Sequence, residues 1–168
     1  RKLLFIPSLR GEIETISEFN LEVFLMSKMA VIYWSMSGNT EAMANAIAEG
    51  AQSAGAQVDV KQVSEITVDQ ALEYDKLALG CPAMGAEVLE ESEFEPFFAQ
   101  LEGRLGGKKV ALFGSYGWGD GQWMRDWQQR VDDANASLYH GEGLIINETP
   151  DDDGLEQCRQ FGAGFAGF

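Results

Sequence analysis

Three clusters of residues in this chain have the types and spacing to hold a ligand. The first lies inside VIYWSMSGNTEAMA, residues 31–44, where Ser35, Met36, Ser37, Gly38, Asn39 and Thr40 separate an apolar run from a string of helix formers. A helix N-terminus presents unpaired backbone N–H groups and a partial positive charge, so this junction can hold a phosphate without any Lys or Arg. None is present in it. The Walker pattern, with its Lys after the last Gly, is also missing, which points to a single phosphate rather than a triphosphate with magnesium. An ordinary N-cap needs one hydroxyl, and three in six residues exceed that need.

The second cluster is Cys81, Pro82, Ala83, Met84, Gly85, Ala86 and Glu87. Met84 fits either contact with a flat ligand or burial in the core. The third is Ser115, Tyr116, Gly117, Trp118, Gly119, Asp120 and Gly121. An indole between two glycines on a loop is better placed as a stacking platform than as a core residue. A phosphate seat, a thioether and an indole together describe a pocket for a planar ring with a phosphorylated tail.

The elements that must position these clusters alternate between apolar runs and helical stretches. Strands are expected over 29–34, 57–63, 76–80 and 108–115, with a fifth within 137–147 that is weakened by Gly141 and Gly143. Helices are expected over 40–54, from a Thr67/Gln70 capping box to about 74, over 95–105, over 123–134, and after Asp151, Asp152 and Asp153. On the first helix, Met43, Ala44, Ile47, Ala48 and Ala51 share one face. Five strands alternating with five helices make an α/β fold, a parallel sheet with helices on both faces. Ligands in such sheets bind beyond the carboxyl ends of the strands, and all three clusters follow a strand.

Bulk properties narrow the partners. The net charge is −15, and residues 1–28 balance four basic against four acidic residues, so the excess lies in residues 29–168. Such a surface repels phosphate backbones and anionic lipid, which argues against nucleic acid and membrane and favours a basic protein partner. Cys81 and Cys158 have no metal spacing, and with 45% hydrophobic residues the domain needs no disulfide framework. A reducing cytoplasm is the plain reading. Residues 1–28 read as a poorly ordered leader, linker or remnant of a lost domain, with weak helical periodicity through Ile13, Ile16 and Phe19; the ligand pocket belongs to a domain over 29–168.

These residues resemble a family, the flavodoxins, and specifically the short-chain type of anaerobic bacteria. The similarity rests on YWSMSGNTEAMA, LGCPAMGAEVLEESEFEPF and KKVALFGSYGWGDGQWMRDW, in that order, and extends from Met29 to about Phe161. It implies a flavodoxin-like, doubly wound five-stranded sheet of order 2-1-3-4-5, binding FMN noncovalently in a monomeric electron carrier rather than an enzyme. Carried over, Ser35, Ser37, Asn39 and Thr40, with the N–H groups of Met36 and Gly38, would hold the phosphate. Met84 and Trp118 would cover the two flavin faces, with Pro82 and Ala83 in the same loop. The Gly85–Ala86 peptide would lie beside flavin N5, and Glu87 would accept from N3. Ser115, Tyr116, Gly117, Gly119 and Asp120 would line the phosphate and pyrimidine edges.

The resemblance also implies a low-potential carrier cycling between neutral semiquinone and anionic hydroquinone, serving basic-surfaced redox proteins that also use ferredoxin. Glu87, Glu90, Glu91, Glu93 and Asp120 crowd the flavin region. One carboxylate at ~10 Å and effective dielectric ~20 opposes the added charge by about 1.7 kcal/mol, or roughly 70 mV for a one-electron couple. Ala86 stands where a polar residue is common, Ser37 replaces Thr, Pro82 occupies a position that is Ser in some relatives, and Gly162, Gly164 and Gly167 weaken the last helix.

Other readings fit less well. The GxGxxG match over 162–167 follows a helix and has no helix after it to receive a pyrophosphate. His140 has no nucleophile or metal-type neighbours in its stretch. A receiver domain would need carboxylates where Trp34, Ser35 and Cys81 stand. The remaining rival is a flavodoxin-like domain of a larger flavin reductase or quinone reductase, which would need a nicotinamide site that no segment here builds.

Overall fold

Runs that are apolar on both faces become the central strands. In the computed structural model, which describes 4–7, 13–16 and 28–168, two short antiparallel strands come first, β1 (Leu4–Pro7) and β2 (Ile13–Ile16). The helical periodicity expected through Ile13 and Ile16 is therefore replaced by strand, with Phe19 outside the described residues. Most of the expected leader also lies outside them. The main sheet is built from β3 (Lys28–Tyr33), β4 (Gln57–Gln62), β5 (Lys76–Gly80), β6 (Lys109–Tyr116), β7 (Ser137–Leu138) and β8 (Leu144–Asn147). Between them run α1 (Asn39–Ser53), α2 (Val68–Ala71), α3 (Phe94–Glu102) and α4 (Gln122–Asp133), and α5 (Asp152–Ala166) closes the chain.

Every pairing in the main sheet is parallel, in the order β4-β3-β5-β6 and then β7 and β8 side by side in sequence along β6. This is the 2-1-3-4-5 order with a divided fifth strand. The division falls at a short 3-10 turn, Tyr139–Gly141, where His140 and Gly141 take positive φ of 60° and 69°. That backbone cannot stay in register with β6, so β7 pairs with Lys109 and Val110 while β8 pairs with residues 113–116.

The period-2 alternation of strands assigns side chains to two cores. Ala30, Ile32, Leu77, Leu79, Val110 and Leu112 face α3 and α4, and meet Phe94, Phe98, Trp123 and Trp127. Met29, Val31, Tyr33, Ala78, Ala111 and Phe113 face α1 and α5. The predicted inner face of α1 is buried throughout. The capping box forms as expected, with Thr67 and Gln70 exchanging backbone and side-chain bonds at 3.2 and 3.0 Å.

The glycines of α5 have a packing reason rather than being a simple weakness. A Cβ at Gly162 would fall on the Ile47 carbonyl, and one at Gly50 on the Arg159 carbonyl, so α1 and α5 cross at backbone contact. The helix propensity lost there is the condition for that approach.

Candidate functional site

Three loops leave the carboxyl ends of β3, β5 and β6, and hydrogen bonds tie them into one rim. Thr40 Oγ1 and Ser115 Oγ lie 2.8 Å apart, both buried, joining the first loop to the third. The Ala83 N–H donates to the Ser115 carbonyl at 3.0 Å, joining the second to the third. Trp34 Nε1 donates to Glu93 Oε2 at 2.9 Å, fixing the root of the first loop to the far end of the second.

The first loop is shaped by Gly38, whose φ of +95° turns the chain into α1. Ser35 Oγ accepts from the N–H groups of Gly38 and Glu41 at 3.2 and 3.3 Å. Among the described residues, no protein acceptor takes the N–H groups of Met36, Ser37, Asn39 or Thr40. They open on a cavity of about 230 Å³ lined by Ser35, Met36, Ser37, Asn39, Thr40, Pro82, Ala83, Met84, Ser115, Tyr116, Gly117 and Glu148. No cation lines it. Open donors, hydroxyls and an amide are groups that could hold an anion.

The second loop is a closed turn. Met84 and Val88 exchange N–H···O bonds of 2.9 Å, and between them Gly85 and Glu87 both take positive φ, 49° and 55°. Gly85 and Ala86 border a separate hollow of about 430 Å³ on this loop. Glu87 turns to the third loop, where its Oε1 accepts from the N–H groups of Asp120, Gly121 and Gln122 at 3.1, 3.2 and 3.2 Å. That carboxylate closes the N-terminus of α4. Gly119 leaves it room, since a Cβ there would fall on Glu87 Oε1.

Trp118 stands 64% exposed and Met36 76% exposed, so an aromatic face and a thioether flank the rim in solvent. Tyr116 packs against Trp123 at 5.7 Å, and Trp123 Nε1 donates to the Cys81 carbonyl at 3.1 Å. Behind the second loop Cys81 is fully buried, and burial pushes its thiol pKa well up, which leaves it unreactive.

The structure thus gathers eleven of the predicted residues around one cavity, while Gly38 shapes its turn and Gly85, Ala86, Glu87, Trp118, Gly119 and Asp120 lie outside its lining. Of the acids expected to crowd the ligand, most are also engaged within the protein. Glu90 is buried, and its carboxylate accepts from Ser92, Glu93 and Phe94 N–H at 2.7, 2.8 and 3.0 Å. Burial alone would raise its pKa, but the three donors outweigh that and hold it below the usual carboxylate range. Asp120 is paired with Arg125 at 2.7 Å.

A fourth wall escaped the sequence reading. The turn after β8 brings Glu148 to the cavity, its N–H donating to the Tyr116 carbonyl at 2.7 Å, and Asn147 Nδ2 donates to the same oxygen at 3.1 Å. Thr149 Oγ1 donates to Asn39 Oδ1 at 3.2 Å. The signal in the sequence was a polar triplet directly after an apolar strand end, the same signature that marked the first loop.

Comparison with known proteins agrees with this geometry. The family model described as Flavodoxin matches residues 31–162. The chain is 47% identical to a flavodoxin of Clostridium beijerinckii over 144 residues, covering 82% of this chain and 99% of that protein. It is also 47% identical to a flavodoxin of Megasphaera elsdenii, covering 81% and 96%. The solution structure of two-electron reduced Megasphaera elsdenii flavodoxin superposes with a TM-score of 0.76, 46% identity, and coverage of 83% of this chain and 99% of that one.

Proposed function

The chain belongs to the flavodoxin family of FMN-binding electron carriers, and we propose that it is a low-potential one-electron carrier without a substrate of its own. The observation that carries this reading is the rim itself: open N–H donors at the start of α1 and no cation on the cavity wall. A dianionic tail fits such donors, its charge favoured by the helix N-terminus that presents them.

In this reading the N–H groups of Met36, Ser37, Asn39 and Thr40, the Ser37 hydroxyl and the Asn39 amide hold the phosphate. Ser35 and Thr40 act differently from the rest, because their hydroxyls are already engaged in shaping the loop and in bonding Ser115. Met84 and Trp118 supply the two flat contacts for the ring. Glu87 keeps Oε2 for a ligand N–H while Oε1 holds α4 in place. Gly85, at positive φ, allows the Gly85–Ala86 peptide to turn at low cost.

When bound, FMN supplies one-electron transfer, the low-potential couple being the one that adds negative charge to the ring. This chain opposes that charge with carboxylates. Glu90 stays ionised because three N–H groups hold it, and Glu91, Glu93 and Glu148 add to the same field, whereas Asp120 is largely offset by Arg125. The net charge of −15 suits basic-surfaced, ferredoxin-using redox partners in the cytoplasm. No helix among the described residues is long and apolar enough to cross a membrane.

The test is reconstitution followed by reduction. The purified protein should bind FMN, become yellow, and turn blue at half reduction by dithionite, while added NADPH leaves it yellow. Failure to retain FMN would overturn the reading, and direct bleaching by NADPH would make it an enzyme.

A further inference from the structure

Thr149 and Asn39 are 110 positions apart in sequence and meet beside the cavity that Asn39 lines, where the Thr149 hydroxyl donates to Asn39 Oδ1 at 3.2 Å. We propose that Thr149 is a positioning residue for the phosphate seat, fixing the side-chain amide of Asn39 so that its NH2 end serves the anion. The proposal rests on the reading that a phosphate occupies this seat.

A primary amide has an accepting end and a donating end, and the two are nearly the same shape. An anion tolerates only the donating end. Asn39 lines the cavity as the first residue of α1, so an amide free to turn would spend part of its time presenting oxygen to the ligand. With Oδ1 engaged by Thr149, the end left for the cavity is Nδ2. Holding the amide in place before binding removes an ordering cost from the complex, and because a hydroxyl can pair with either end, the anion at Nδ2 and the Thr149 hydroxyl at Oδ1 reinforce one another.

The partner that does this is itself held on both sides. Upstream, the Glu148 N–H and Asn147 Nδ2 both bond the Tyr116 carbonyl. Downstream, Pro150 is buried and Asp151 Oδ1 accepts from the Gly154 N–H at 2.8 Å, anchoring α5. Thr149 therefore sits on a short span between two fixed points, and it links the fourth wall to the first loop.

The experiment measures dissociation constants of FMN and of riboflavin for the full chain and four variants: Thr149→Val, Thr149→Ser, Asn39→Ala and the Asn39→Ala/Thr149→Val double. Riboflavin carries the same ring and polyol without the phosphate, so it reports any general damage to the pocket. Thr149→Val should weaken FMN by about fivefold, the scale of one hydrogen bond, with riboflavin unchanged, and Thr149→Ser should restore FMN. In an Asn39→Ala background the Thr149→Val change should have no further effect, because the amide it orients is gone. An unchanged FMN constant, an equal loss for riboflavin, or full additivity with Asn39→Ala would each overturn the proposal. A parent chain that binds FMN no tighter than riboflavin would instead overturn the phosphate seat on which it rests.

Discussion

The helices that start at the carboxyl edge of the sheet begin in two different ways. At α3 and α4 the protein fills the N-terminus with its own carboxylate, Glu90 in one case and Glu87 in the other, each taking three N–H groups. At α1 it does not: Ser35 takes two N–H groups, and four more are left toward the cavity. One sheet edge thus makes the same kind of anion seat repeatedly, and function resides in the seat that the protein leaves for a ligand. In the proposed reading, affinity for a phosphate without any cation would follow from this division.

The sharpest way to break the contrast is to fill the open seat. Ser37→Asp places a carboxylate where α1 offers its donors. Against a phosphate it should act repulsively by about 3 kcal/mol per unit charge at ~5 Å and effective dielectric ~20, so FMN binding should fall by about 100-fold or more. Riboflavin binding should change far less, and the ligand-free protein should gain up to about 1 kcal/mol from the helix dipole. Calorimetric titration with the two flavins, and urea unfolding without them, read all three effects. Equal loss for both flavins would mean that the first loop is not an anion seat.

The next largest effect comes from emptying a filled seat. Glu90→Gln keeps the shape but removes the charge from three N–H bonds in a buried place, and should lower stability by about 2 kcal/mol. It also changes the acid response. The folded pKa of Glu90 lies below its ordinary value, so its contribution is present above the unfolded pKa and is lost as pH falls through the folded one. The variant should lack this part of the acid destabilisation. Unfolding curves from neutral pH down to about pH 3 decide it, since the stability gap between parent and variant must narrow toward the acid end if Glu90 acts in this way.

This contrast also explains what could be read in the sequence. Ser35 to Thr40 and the Gly-flanked Trp118 were legible because local residue types report an unfilled helix start and an unsupported indole. Glu90 was not. An acid within EVLEESE looks the same whether it faces solvent or closes α3, and only the fold of 81–94 shows that its carboxylate is buried. The same holds for Asp120, whose partner Arg125 lies on the following helix, and for Glu87, which reaches α4 across 33 positions. The parallel sheet was legible from its apolar runs, but the break at Tyr139–Gly141 depends on the positive φ of His140 and Gly141, which takes the chain out of register with a continuous β6. Gly162 looked like a helix weakness because propensity is local, whereas its use, like that of Gly50, is contact between two helices far apart in sequence.

A third, smaller test separates the two duties of Glu87. Glu87→Gln should lower stability by about 1 kcal/mol, less than Glu90→Gln, because its site is only half-buried. If Glu87 also meets the ring of the ligand, FMN and riboflavin should both bind more weakly in this variant and by the same factor. That pattern is the opposite of the one expected at Ser37, and a loss confined to FMN would place Glu87 at the wrong end of the ligand.

The smallest expected effect lies at the start of α5. Asp151 caps α5 through a single bond to the Gly154 N–H, from an exposed position. Asp151→Ala should lower stability by about 1 kcal/mol, whereas Asp151→Asn should cost only a few tenths, because Asn caps nearly as well and the exposed charge contributes little. Neither change should alter binding of FMN or riboflavin if α1 alone presents donors to the ligand. Should Asp151→Ala weaken FMN selectively, the start of α5 would belong to the phosphate seat as well, and the division between filled and open helix ends would have to be redrawn to include the turn that carries Thr149.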